Sequence, residues 1–309
     1  MNLIKSNYTK ATIIGQLGLL MWGLLAVFTV VVTNIPTFEI LSIVFTVSFI
    51  TGIAYSYIKG EENPIKKHPK YMWFIGFLGI FCNDALYIQS FKYAPPEQAD
   101  LINYLWPLMV ILFSSVLPKE KFLIKYVISA VIAFTGIYLL LCGGEGFHYE
   151  FLPGYGFAFL AASCWAIFTL FSRGNNQNKS IAVTAIYCGI AAVGSFVSHC
   201  VSEVFIMPTL SQSIILVIMG VTTHSLAYIF WDFGIKKGNF RLLSILSYAN
   251  PIISIFFLVL LGFAPYSNNL LIAAVLVFIA GVISAIDWES ISEKALGKLF
   301  SAESFFKSK

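Results

Sequence analysis

Two ionisable side chains interrupt runs that are otherwise apolar: Asp84 in CNDALYIQS and His224 in VTTHSLAYIFWD. If those runs lie in a membrane, a charge there is costly and is usually kept for a function, either to pair a cationic group or to carry a proton. Asp84 and His224 are therefore the proton-coupling candidates. The plainer alternatives are a neutral Asp84 bonded to a neighbour and a neutral imidazole of the core at His224. Tyr87 lies one turn from Asp84, and Tyr228 and Trp231 continue the face of His224 at helical spacing.

A second pattern occurs twice. NYLWPLMV (103–110) and SYANPIIS (247–254) each hold a proline inside an apolar run, three residues after a tyrosine, and both Tyr104 to Tyr248 and Pro107 to Pro251 span 144 residues. Each proline deprives the carbonyl four residues earlier, on Asn103 or Ser247, of its helical donor. A carbonyl freed in this way must face protein or a polar cavity rather than lipid. On a helix Asn103, Trp106 and Pro107 share a face, as do Ser247, Asn250, Pro251 and Ser254. Freed carbonyls beside amide, hydroxyl and indole groups suit a polar molecule with an apolar part. One such proline alone is equally a packing kink; the matched pair favours a site.

The elements that position these residues follow from composition. Of 309 residues 58% are hydrophobic and 11% charged, against about 25% charged in an ordinary soluble domain. Residues 11–38 carry no Asp, Glu, Lys or Arg, and about 20 apolar residues suffice for a helix to cross the hydrocarbon. The expected fold class is an all-α integral membrane protein with ten transmembrane helices, near 11–33, 39–58, 71–92, 99–117, 122–142, 155–172, 180–202, 212–235, 242–262 and 268–286. The first apolar stretch is too long for a secretory signal. Of the Lys and Arg residues, only Lys92 falls outside the segments facing one side, which makes that side cytoplasmic and places both termini there. The five cysteines form no C-x-x-C pair and read as buried apolar residues, so neither metal nor disulfide is expected. No P-loop, H-E-x-x-H or G-x-S-x-G constellation occurs, which disfavours an enzyme. Nucleic-acid binding has no support, because orientation already explains the spread of lysines.

The two proline motifs belong to a larger duplication. Gly76 matches Gly220 and Lys92 matches Lys236 at the same offset, while Trp22 finds Trp165 at 143 and Gly136 finds Gly281 at 145. Each unit has five crossings, so the second copy enters from the opposite side and the repeats are inverted. The acidic loop YAPPEQAD (93–100), expected outside, has its basic counterpart around KKGNFR, expected inside. The units are residues 10–142 and 154–286, followed by a tail over 287–309 that is either an amphipathic helix on the inner leaflet or disordered. Inverted repeats build transporters whose site lies near the midplane between the halves.

With INYLWPLMVILFSSV, SYANPIIS, GGEGFHY (143–149) and WDFGIKKGN (231–239) in view, the chain resembles a drug/metabolite transporter of the EamA type, and within that superfamily the bacterial aromatic amino-acid exporters. The resemblance implies a multi-pass protein of the bacterial inner (plasma) membrane with two five-helix EamA repeats and a central cavity. Tyr87, Tyr104, Trp106 and Pro107 match aromatic and kink positions of that cavity, Trp165 its span-six tryptophan, and Ser247 with Pro251 the equivalent second-repeat face. Where exporters can carry a Tyr-His pair, this chain has Asn83 and Asp84, which puts the substrate's charge preference in question. The leading expectation is export of aromatic or other neutral amino acids by alternating access. Rings would stack on Trp106, Tyr87 and Trp165, and the zwitterion would meet Asp84, freed carbonyls and span-nine hydroxyls. The alternatives are a same-fold transporter of S-adenosylmethionine, a nucleoside-like compound or a cationic drug, and a non-transporting membrane scaffold. The implied partners are a small-molecule substrate, the lipid bilayer and, as a coupling ion, protons; no cofactor is expected, and the protein is read as a monomer.

Overall fold

The computed structural model describes residues 2–61, 68–114, 124–142, 148–174, 181–239, 243 and 246–285. The tail over 287–309, the loop RGNNQNK beyond Gly174 and most of KEKFLIK and GGEGFHY lie outside those residues. The described chain is helical: α1 (Asn2–Gly23), α2 (Leu25–Val32), α3 (Thr37–Ile58), α4 (Lys70–Phe77), α5 (Asn83–Tyr93), α6 (Pro96–Asn103), α7 (Trp106–Ser114), α8 (Ile124–Cys142), α9 (Leu152–Gly174), α10 (Ile181–Ser202), α11 (Leu210–Val221), α12 (Ala227–Lys237), α13 (Asn250–Leu260) and α14 (Asn268–Ala285). One π-helical turn, Leu78–Cys82, joins α4 to α5, and another, Thr222–Leu226, joins α11 to α12.

Among the described residues, seven helical stretches are long and apolar enough to cross a membrane: Thr9–Val32, Thr37–Ile58, Lys70–Tyr93, Ile124–Cys142, Tyr149–Phe171, Ile181–Ser202 and Leu210–Trp231. The protein is thus a multi-pass membrane protein. Where the sequence predicts spans through Pro107 and Pro251, the described helices are shorter, because the chain breaks before each proline. Elements recur along the chain at one interval: α3 and α10 start at 37 and 181, the π turns at 78 and 222, α5 and α12 at 83 and 227, α7 and α13 at 106 and 250, and α8 and α14 at 124 and 268, each pair 144 residues apart.

Helix starts carry their own satisfaction of free N–H groups. Thr209 and Gln212 close a reciprocal capping box on α11, with Gln212 N donating to Thr209 Oγ1 at 3.3 Å and Thr209 N to Gln212 Oε1 at 3.0 Å. The first turn of α3 borrows a distant anion: Phe38 N and Glu39 N both donate to the Glu203 carboxylate, which suits the positive end of a helix dipole. Lys92, the lone cation expected outside, donates to the Ile35 carbonyl at 2.8 Å at the same end of the molecule.

The largest helix contacts pair α3 with α10, α8 with α14, α1 with α12 and α5 with α9. Small residues permit this close approach: Ala158, Ala161, Ala162 and Ala166 form a fully buried stripe on α9, the device membrane helices use in place of a hydrophobic drive. Gly281 of α14 does the same for one ring, since a Cβ there would collide with Tyr248. Phe74, Phe196, Phe256 and Leu260 point outward and exposed, as a lipid-facing surface requires.

Candidate functional site

The site begins at the two π turns, features with no counterpart in the sequence reading. Such a turn holds one residue more than the α-helix allows, leaves a carbonyl without its usual donor and re-aims the side chains that follow; it is frequent at functional sites. In the second turn the backbone is completed from other helices: Trp22 Nε1 donates to Thr223 O at 3.1 Å, and Ser48 Oγ donates to His224 O at 2.6 Å. The turn holds His224 itself, 5% exposed, and the first turn ends immediately before Asn83 and Asp84.

These turns bring the two ionisable residues into contact. His224 Nε2 lies 3.1 Å from Asp84 Oδ2, and Asn83 Nδ2 donates to Asp84 Oδ1 at 3.3 Å. On the other side of the ring, His224 Nδ1 lies 2.8 Å from Thr223 Oγ1, whose own hydroxyl donates to Met219 O at 2.8 Å. Nδ1 is therefore the donor toward Thr223. The Nε2 to Oδ2 contact then needs one further proton, held on the imidazole or on the carboxyl.

The structure adds a carboxylate from the stretch that the sequence places in an outside loop. Asp100, 2% exposed, accepts from Tyr87 OH at 2.7 Å and from Ser254 Oγ at 2.5 Å. Pro95 and Pro96 start α6 at once, so the acidic stretch expected in solvent is already helical, and Glu97 and Asp100 are both buried. Hydrogen bonds to a charged group contribute about 1.5–3 kcal/mol each, whereas burying the charge costs several kcal/mol. Asp100 is thus held by two neutral hydroxyls, from α5 and α13. One signal in the sequence could have found it: Asp100 lies three and four residues before Asn103 and Tyr104, on the face already singled out.

Both prolines sit at helix breaks rather than within bent helices. The chain turns at Tyr104–Leu105, with Tyr104 N donating to Asp100 O and Leu105 N to Ile102 O, and again at Tyr248–Ala249. Pro107 and Pro251 then fall in the first turn of α7 and α13, where a missing N–H costs nothing. Between the breaks runs a narrow crevice lined by Tyr104, Leu105, Pro107, Ser247, Tyr248 and Pro251. The side-chain oxygens of Asn103 and Asn250 are buried and without a partner among the described residues.

Aromatic rings from separate helices meet beside these groups. Trp165 of α9 touches Trp106 of α7 edge-on at 6.4 Å and 88°, and Tyr228 of α12 at 6.0 Å. Tyr228 in turn meets Trp22 of α1 at 5.2 Å. Tyr87, expected in the same stack, packs on Phe91 and directs its hydroxyl to Asp100. Trp22, the repeat mate of Trp165, is not among the residues singled out as site candidates from sequence, yet it joins the cluster. The candidate residues therefore fall into an Asp84–His224 pair, a crevice at the two breaks and an aromatic wall, with Asp100 joined to α5 and α13.

The EamA-like transporter family model matches the chain twice, over residues 9–142 and 152–286. The chain is 35% identical over 272 residues to the aromatic amino acid exporter YddG of Ancylobacter novellus, covering 87% of this chain and 94% of that protein. It is 25% identical over 276 residues to the aromatic amino acid exporter YddG of Escherichia coli (strain K12), covering 84% and 90%. A solved crystal structure at 34% sequence identity matches with a TM-score of 0.70, covering 89% of this chain and 96% of that one.

Proposed function

This chain belongs to the EamA-like transporter family, and from that premise we propose that it is a secondary transporter exporting aromatic or other neutral amino acids by alternating access. As a transporter and not an enzyme, it needs a site that binds and releases without chemical change. The observation that carries the substrate class is the aromatic wall of Trp106, Trp165 and Tyr228 standing beside polar groups in the bundle interior. A substrate ring gains edge or offset contacts there, and the polar groups gathered around the two helix breaks offer partners to its polar end. The exporter names of two relatives support the same class.

The architecture in this proposal is ten crossings in two inverted five-helix units, residues 10–142 and 154–286, in the plasma membrane with cytoplasmic termini. Recurrence of elements at 144 residues, contacts that pair α3 with α10 and α8 with α14, and the two family matches support it. An inverted duplicate interconverts two arrangements of similar energy, which is what access from alternate sides requires. Asp84 and His224 then form the proton-coupling element, since their contact joins the third and eighth predicted spans and changes when those spans separate. The protein acts as a monomer.

Export is tested in cells. A bacterial host expressing the protein should tolerate ring-fluorinated phenylalanine at higher doses and contain less of it. Unchanged tolerance and unchanged content at verified expression in the membrane would refute the reading.

A further inference from the structure

Asp100, Asn103, Asn250 and Ser254 lie along one seam between α6 and α13. Asp100 and Asn103 are three residues apart on α6, Asn250 and Ser254 are four apart on α13, and each pair therefore shares a helix face. The bond from Ser254 Oγ to Asp100 Oδ2 holds the two faces together. The seam thus carries a carboxylate whose bonded hydroxyls have already given it their protons, together with two carbonyl oxygens that have no donor among the described residues. The Tyr87 and Ser254 hydroxyls both donate to Asp100. Asn103 Oδ1 and Asn250 Oδ1 are buried acceptors with no partner among the described residues, and Asn250 is only 5% exposed.

Asp84 has an imidazole opposite it, and Glu203 has the α3 N–H groups and His199. Among the described residues Asp100 has no lysine, arginine or histidine within bonding distance; its partners are the two hydroxyls. A buried carboxylate with no cationic partner among the described residues, on helix faces that also carry two unpartnered carbonyl oxygens, can accept a compact positive group with several N–H donors. We propose that the seam is a monovalent-cation subsite that receives the α-ammonium of the amino-acid substrate. The assignment rests on the proposed export of amino acids and adds the identity of the ammonium-binding group, leaving Asp84 and His224 free to handle the proton. Its position fits a ring-bearing substrate, because Trp106 follows Asn103 by three residues and leads to Trp165.

An inorganic cation such as Na⁺ also favours carboxylate and carbonyl oxygens, so the experiment separates the two sources. Detergent-purified protein is titrated calorimetrically with phenethylamine, which has the ammonium and no carboxylate, and with 3-phenylpropionate, which has the reverse. Wild type should bind phenethylamine, and Asp100→Asn should weaken that binding by about 10-fold or more while leaving 3-phenylpropionate unchanged. Asn250→Leu, which keeps the carboxylate, should weaken phenethylamine in the same selective way and serves as the second variant should Asp100→Asn not yield monodisperse protein. Equal weakening of both compounds would reduce the seam to a structural role and overturn the proposal. So would absence of phenethylamine binding by wild type, or a thermal stabilisation by Na⁺ in choline buffer that Asp100→Asn abolishes. Because binding is read without flux, failure of amino-acid export alone would be seen separately.

Discussion

His224 Nε2 lies 3.1 Å from Asp84 Oδ2, so two ionisable residues 140 positions apart, each interrupting its own apolar run, form a single pair. Removing one member of such a buried pair leaves the other without its partner, at about 3–5 kcal/mol. His224→Ala should therefore destabilise strongly. The double variant Asp84→Asn/His224→Gln should be less destabilised than the sum of its single changes, read as a double-mutant cycle of thermal unfolding in detergent. Strict additivity would show that the contact has no energetic meaning.

The proton coupling proposed for that pair also gives a transport expectation. Flux through wild-type vesicles should change when a pH gradient is imposed, and in Asp84→Asn the gradient should no longer alter the rate. A mutant as responsive as wild type would place coupling elsewhere.

The aromatic wall makes a quantitative claim about recognition. Edge contacts between rings contribute about 0.5–1.5 kcal/mol, so Trp165→Ala should raise the half-saturating concentration of phenylalanine by about 2- to 10-fold, with Trp165→Phe intermediate. An effect confined to maximal rate, with half-saturation unchanged, would mean that the ring only supports Trp106 and Tyr228.

Close packing behind the second helix break should be sensitive to a single methyl group. Gly281→Ala forces the Tyr248 ring away from α14, and overpacking of this kind costs about 1–3 kcal/mol. The apparent melting temperature should fall, and replacing Tyr248 by a smaller residue in the same variant should recover part of the loss.

Much of this arrangement was legible in the residues themselves. Charge scarcity gave the membrane and the helices, and the matched prolines drew attention to both regions, although the expected kinks within continuous spans are breaks just before each proline. The π turns were not legible: TTHSL and LGIFC have no composition that separates them from α-helix, and the carbonyls of the second turn are satisfied from a distance by Trp22 and Ser48. Asp100 was hidden for a related reason. Its neighbours Pro95, Pro96, Glu97 and Gln98 read as a solvated loop, while the hydroxyl that explains its burial belongs to Ser254, 154 residues further along. Asp84 and His224 each stood out against apolar neighbours, but their contact depends on how α5 meets the second π turn, which no local pattern encodes.

Carriage of aromatic amino acids is measured most directly by counterflow. Liposomes holding purified protein and loaded with unlabelled phenylalanine should transiently accumulate labelled phenylalanine from outside, and external tryptophan or tyrosine should suppress the signal. Accumulation no greater than in protein-free liposomes, or a signal indifferent to every aromatic amino acid, would contradict the account.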